Sequence, residues 1–260
     1  MKKYIIALLI FSYSLINAQT QWHVVYQYKR VETEASKKRM DSLLKARPEW
    51  AQMMKSVRRN RNKTFNLFFN RETSIFEKEE TLEKPSKNNS RRSFSRFRSS
   101  KSIVYVDMKA KSYVKQQNSF EEDYLIKDKL PNYQWKITKE SKQIGKYLAI
   151  KAIGHKNITN RKGETVAKEI IAWFTPQIPV GSGPELYGGL PGLILELHMD
   201  RDLFLAKEIT VTNQPVKKIM PPGKGKVVTQ AAFDEILSKQ IKKMREMRKS
   251  YRKRRKNRRR

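Results

Sequence analysis

From Trp22 to Thr212 the apolar positions recur mostly at every second residue. Trp22, Val24, Tyr26 and Tyr28 fall on one face of an extended segment over 22–31, the pattern of a strand with a buried side. Phe65, Leu67 and Phe69 repeat it, and 74–80 supplies a second arm, turning at Asn70-Arg71. Short strands are expected at 102–107, 112–117, 123–127 and 134–138, at the regular spacing of an antiparallel meander. A longer hairpin follows from 144–153 and 165–174, and a last one from 193–198 and 204–212 turning at Met199–Asp202. Residues 144–153 carry apolar side chains on both faces, which predicts a central strand.

The period changes twice. Met40, Leu43 and Leu44 are spaced for a helical face, and Pro48 restarts a helix with Trp50, Met53 and Met54, proline being tolerated in a first helical turn. That Met/Trp stripe is expected to pack on the sheet, with a partner- or lipid-contacting hairpin as the alternative. Beyond Pro221, Pro222 and Gly223, Thr229 can cap a helix carrying Phe233, Ile236, Leu237, Ile241, Met244 and Met247, whose first half can dock and whose end cannot. The predicted fold is mainly β: an antiparallel meander forming a curved or half-closed sheet, with a helical insertion near 35–60 and a C-terminal basic helix.

One stretch breaks both periods. Between Pro176 and Gly192 lie four of the ten prolines and five of the ten glycines, interleaved with Ile178, Leu186, Tyr187 and Leu190. Alternating a fixed φ with a permissive one specifies a shaped path rather than a linker. Leu190-Pro191-Gly192-Leu193 fits a type II turn, with Gly192 at positive φ, feeding a buried strand. Gly189, Leu190, Pro191, Gly192, Leu193 and Ile194, preceded by Trp173, Thr175, Ile178, Pro179, Gly183, Pro184 and Tyr187, resemble the signature of the GLPGLI family of exported proteins from Gram-negative envelopes. The resemblance covers about 25 residues directly. It implies an envelope location and no assigned activity, and gives these thirteen residues a structural role.

The amino terminus reads as a leader. Met1-Lys2-Lys3, an apolar run from Tyr4 to Ile16 and a small residue at Ala18 predict a signal peptide over 1–18, cleaved before Gln19. The organisation expected after it is a β-rich domain over 19–222, including a basic mobile loop at 84–101, then the helix and basic tail over 223–260. No later stretch is long and apolar enough to span a membrane, and without cysteine there is no disulfide, thiolate ligand or lipid attachment site after the leader.

Charge is unevenly placed. The formal net charge is +32, and 34–63, 84–101 and 239–260 contribute +7, +7 and +13, so the remaining body is nearly neutral. Arg252, Lys253, Arg254, Arg255, Lys256, Arg258, Arg259 and Arg260 are the candidate polyanion contacts. Counterion release makes such binding independent of sequence. In the compartment implied by the leader the available polyanions are lipopolysaccharide, anionic lipid and acidic polysaccharide; no specific nucleic acid is expected. Phe94 and Phe97 among arginines suit a solvated loop, or stacking on bases or an anionic interface.

No catalytic constellation emerges. His23, His155 and His198 stand alone, each read as structural or solvated. Gly181-Ser182-Gly183 lacks the strand-to-helix turn of a serine nucleophile. Glu121, Glu122 and Asp123, and Asp200 with Asp202, read as solvated turn carboxylates, and neither metal nor cofactor is implied. The leading expectation is a non-enzymatic envelope protein whose sheet binds an apolar or peptide ligand or an envelope partner, with the elbow shaping an edge or a cleft mouth. The alternatives are a polyanion-binding module acting through its basic segments, and an unrecognised hydrolase.

Overall fold

The computed structural model describes residues 20–50, 63–79, 102–159, 165–214 and 216–257. The leader, the expected helix after Pro48 with Met53 and Met54, and the basic segment 84–101 lie outside the described residues.

The strands are β1 (Gln21–Arg30), β2 (Lys63–Phe69), β3 (Thr73–Lys78), β4 (Ser102–Asp107), β5 (Ser112–Ser119), β6 (Glu122–Lys129), β7 (Lys136–Ile144), β8 (Tyr147–Thr159), β9 (Thr165–Thr175), β10 (Leu193–Met199), β11 (Asp202–Thr212) and β12 (Lys226–Val228). The helices are α1 (Glu34–Ala46) and α2 (Gln230–Asn257). The strands form one mainly antiparallel sheet in the order β12-β6-β5-β4-β3-β2-β1-β11-β10-β9-β8-β7. Among the described residues only the short β12 pairs in parallel, with β6.

The connection from β6 to β7 bends this sheet. Ten inter-strand gaps separate the two in sheet order, about 48 Å if the sheet were flat. The six residues between Lys129 and Lys136 reach at most about 25 Å. The sheet therefore curls into an open trough. Leu130 N–H donates to Lys111 O on one side (2.9 Å) and His155 N–H to Tyr133 O on the other (3.0 Å).

Alternation decides what fills the trough. The pairings place Val24, Tyr26, Leu67, Phe76, Val104, Leu197 and Ala172 on its inner face, and all are buried. Phe65 and Phe76 stack at 5.1 Å with Phe204 edge-on to both, the offset and T-shaped geometries that aromatic quadrupoles favour.

Three expectations are corrected. Residues 134–138 are not a short strand of the meander; β7 runs from Lys136 to Ile144 and turns at Gly145-Lys146 into β8. Because β7 is an edge strand, β8 lies next to the edge and not centrally; on its inner face Gly154 is met by Trp135 of the 130–135 crossing. The helix α1, capped by Thr33 whose Oγ1 accepts from Ser36 N–H, buries no residue. It starts beyond the end of β1, and of its apolar residues Met40 and Leu44 are partly exposed and Leu43 exposed.

The C-terminal helix follows expectation. Thr229 caps it, with Oγ1 accepting from Ala232 N–H at 3.2 Å, and Phe233 packs edge-on against Tyr124 at 5.3 Å.

Candidate functional site

Residues 176–192, between β9 and β10, fold back into the trough rather than lying along its edge. Val180 N–H donates to Ile178 O and Ser182 N–H to Val180 O, at 2.8 and 2.7 Å, two tight turns in succession. Tyr187 N–H closes a turn on Pro184 O, and Gly189 N–H reaches Gly181 O, each at 3.0 Å. Leu193 and Ile194 then donate to Ile178 O and Ser182 O, so the exit strand is bonded to the elbow that precedes it. The side chains of Ile178, Val180, Tyr187, Leu190, Leu193 and Ile194 are buried. This insertion is a plug that completes the core.

Glycine is required here mainly by contact. A Cβ on Gly192 would stand 2.1 Å from Thr175 O and 2.7 Å from Thr175 C, and Gly192 has no positive φ. The type II turn with a left-handed Gly192 is therefore corrected. The left-handed positions of the plug are Glu185, at φ +53°, and Gly189, at φ +82° with open space around it.

The plug is tied to the sheet by polar bonds in a dry setting. Tyr26, wholly buried, donates its hydroxyl to Ile194 O at 2.5 Å, and burial holds its phenol far above the ordinary tyrosine range. Trp135 Nε1–H donates to Gly188 O at 2.9 Å, and Tyr133 stacks on Tyr187 at 4.9 Å. The Lys156 Nζ hangs 5.4 Å over the Tyr187 ring and 3.4 Å from its hydroxyl. Among the described residues no carboxylate lies within ion-pair distance of Lys156, and burial lowers its pKa.

Between the plug and the turns of the facing strands lies a cleft of about 570 Å³. Its floor is backbone-rich, with Gly181, Gly183 and Gly188. Its walls are apolar at Val106, Met108, Leu130 and Leu186, with Lys111 and Glu185 supplying one charge of each sign. Ser182, buried at the cleft, has its hydroxyl beside Met108 Sδ at 3.8 Å. None of the three histidines lines the cleft.

A second polar cluster occupies the outer face of the sheet. Glu196 accepts from Lys142 Nζ at 2.8 Å and pairs with His198 Nε2 at 2.5 Å, and Lys142 sits 4.2 Å over the Trp173 ring. The hydrogen bond from His198, aided by Lys142, holds the Glu196 carboxyl below its ordinary value against the opposing effect of burial. His198 is thus not alone, a correction to the sequence reading. The signal was present in Glu196-x-His198, since residues two apart on a strand share a face. His23 is likewise structural, 2.9 Å from Asn66 Oδ1 and stacked on Phe68. No group of three or more candidate metal ligands occurs among the described residues.

The comparisons bear on this part of the chain. Residues 154–196 match a family described as a protein of unknown function, Porph_ging. The match begins in β8, includes β9 and the whole plug, and ends in β10 at Glu196. No curated protein matches the chain. Among solved structures the chain is similar to PNGF-II in a C2 crystal form, at 13% identity and TM-score 0.50, covering 85% of this chain and 33% of that one. The P21 form gives 12% identity and TM-score 0.49, covering 83% and 32%. The chain thus spans about a third of the PNGF-II structure, and a likeness at this identity is one of fold.

The thirteen motif residues are brought together around the plug. Thr175, Ile178, Gly183, Pro184, Tyr187, Leu190, Gly192, Leu193 and Ile194 are buried there, while Pro179, Gly189 and Pro191 are exposed at its bends. Trp173 faces outward under Lys142. Arg252 to Lys256 fall on the last turns of α2, where their side chains lie outside the described residues, as do Arg258, Arg259 and Arg260 entirely.

Proposed function

We propose that the chain is an exported GLPGLI-type protein of the Gram-negative envelope that binds a short apolar peptide in the cleft beside the plug. The observation that carries this reading is the cleft itself. Its volume lies within the range of ligand sites, about 300–1,000 Å³, and its wall combines exposed backbone, four apolar side chains and one charge of each sign. An extended peptide offers backbone donors and acceptors, apolar side chains and paired termini to such a wall. Binding rather than catalysis is favoured because Ser182 faces a thioether and no histidine lines the cleft.

The test incubates the full chain with a library of apolar tripeptides and measures retention on ultrafiltration by mass spectrometry. Retention by the wild type and its loss in Met108→Trp, which fills the cleft, is the expected outcome; equal retention by both would remove the cleft from the reading. Export is tested separately by amino-terminal sequencing of the mature protein, expected to begin at Gln19, with an intact Met1 opposing it.

A further inference from the structure

The two helices leave the sheet at one end. The pairings put the ends of β1, β3, β5, β8 and β10 together at that end, and the plug and the β2–β3, β4–β5 and β7–β8 turns at the other. Glu34, the first residue of α1, lies just past the end of β1. Gln230, the first residue of α2, sits beside Asp128, with its N–H 3.1 Å from Asp128 Oδ2. The helix then runs antiparallel to β6 and sets Phe233 on Tyr124. Its 28 residues extend about 42 Å, whereas the eight of β6 extend about 27 Å. The last turns of α2 therefore pass beyond the sheet.

Those turns keep an apolar stripe that becomes increasingly exposed among the described residues. Phe233, Ile236 and Leu237 pack on the core. At helical spacing Ile241, Met244, Met247 and Tyr251 continue the same face, yet Met247 and Tyr251 are 57% and 68% exposed while Phe233 is 4% exposed. The opposite face carries exposed Lys242, Lys243, Arg245 and Lys249. From the same end α1 projects exposed Lys38, Arg39 and Lys45, with Leu43 41% exposed.

We propose that this end of the trough docks on an anionic lipid surface, with the free half of α2 lying in the interface and the cleft held at the far end, facing solvent. A basic helix with a continuous apolar face is matched to such an interface, where acyl boundary and headgroup charge meet. A nucleic acid would use the lysines but leave Met247 and Tyr251 in water. A second copy would bring two strongly basic helices together.

The test uses the full chain and flotation with phosphatidylglycerol-containing or pure phosphatidylcholine vesicles. Binding is expected to the first only. Each basic residue near an anionic surface contributes about fivefold, so the quadruple variant Lys242→Ser, Lys243→Ser, Arg245→Ser, Lys249→Ser should lose about a hundredfold after saturation. With no native cysteine, a polarity-sensitive dye on Tyr251→Cys should blue-shift on anionic vesicles while one on Asn132→Cys, in the cleft wall, should not. Equal binding to both vesicles, an undiminished quadruple variant, or a shift at Asn132→Cys alone would overturn the proposal. Association with duplex DNA or self-association in place of vesicle binding would do the same.

Discussion

Replacing Gly192 by alanine adds one methyl group where the backbone leaves no room. The new Cβ would meet Thr175 O at 2.1 Å, Thr175 C at 2.7 Å and Pro176 Cα at 3.1 Å. All three atoms are backbone, so no rotamer change relieves the contact. Relief requires parting the end of β9 from the start of β10 where Leu193 pairs with Thr175, and it strains the Leu193 N–H bond to Ile178 O. Overpacking of this kind costs about 1–3 kcal/mol, and a weakened buried hydrogen bond adds about 1 kcal/mol, together a large share of a typical domain stability of about 5–15 kcal/mol. Gly189→Ala is the control. It meets nothing within 4 Å and costs only its left-handed φ of +82°, about 1–2 kcal/mol. Urea unfolding followed by tryptophan fluorescence should rank Gly192→Ala below Gly189→Ala in midpoint. The reverse order, or an unchanged midpoint for Gly192→Ala, would refute the close-approach argument.

Three further outcomes follow from the same structure. Tyr26→Phe leaves Ile194 O without its buried donor and should cost about 1–3 kcal/mol in urea unfolding; a loss below a few tenths would show the bond to be dispensable. Lys156→Met removes a half-buried cation that has no carboxylate at ion-pair distance among the described residues, so it should equal or exceed the wild type in midpoint at neutral pH; a fall of more than about 1 kcal/mol would show that the Tyr187 ring compensates the charge. Glu196→Gln should lose about 1 kcal/mol at neutral pH. Because the folded carboxyl lies below its ordinary value of 4.5, that stabilisation is present above the unfolded value and disappears as pH falls through the folded one, so the two proteins should converge once the folded carboxyl is protonated in acid; a difference persisting into strong acid contradicts the pairing.

The strands were legible wherever one face meets the core. Phe65, Leu67 and Phe69 gave both the period and the hairpin, and Ser102–Asp107 appears with the predicted bounds. Boundaries slipped where tertiary contacts, not alternation, set them. The polar run 136–144 makes an edge strand with no buried residue, so its pattern was faint. The three-residue β12 depends on pairing with a distant strand. The Pro/Gly density announced a shaped segment, but its direction into the trough depends on bonds such as Tyr26 to Ile194 O, which join residues 168 apart. The same holds for the cleft, whose walls come from four separate stretches of chain.

The central claim, that the cleft beside the plug holds a ligand, is tested most directly at Trp135. Its indole N–H donates to Gly188 O in the backbone that floors the cleft, so its resonance in a two-dimensional nitrogen–proton spectrum reports on occupancy. Titration of the full chain with an apolar tripeptide retained by the wild type should move that resonance saturably, and the shift should vanish in Met108→Trp. A stationary Trp135 resonance while others shift and saturate would place the binding elsewhere and contradict the claim.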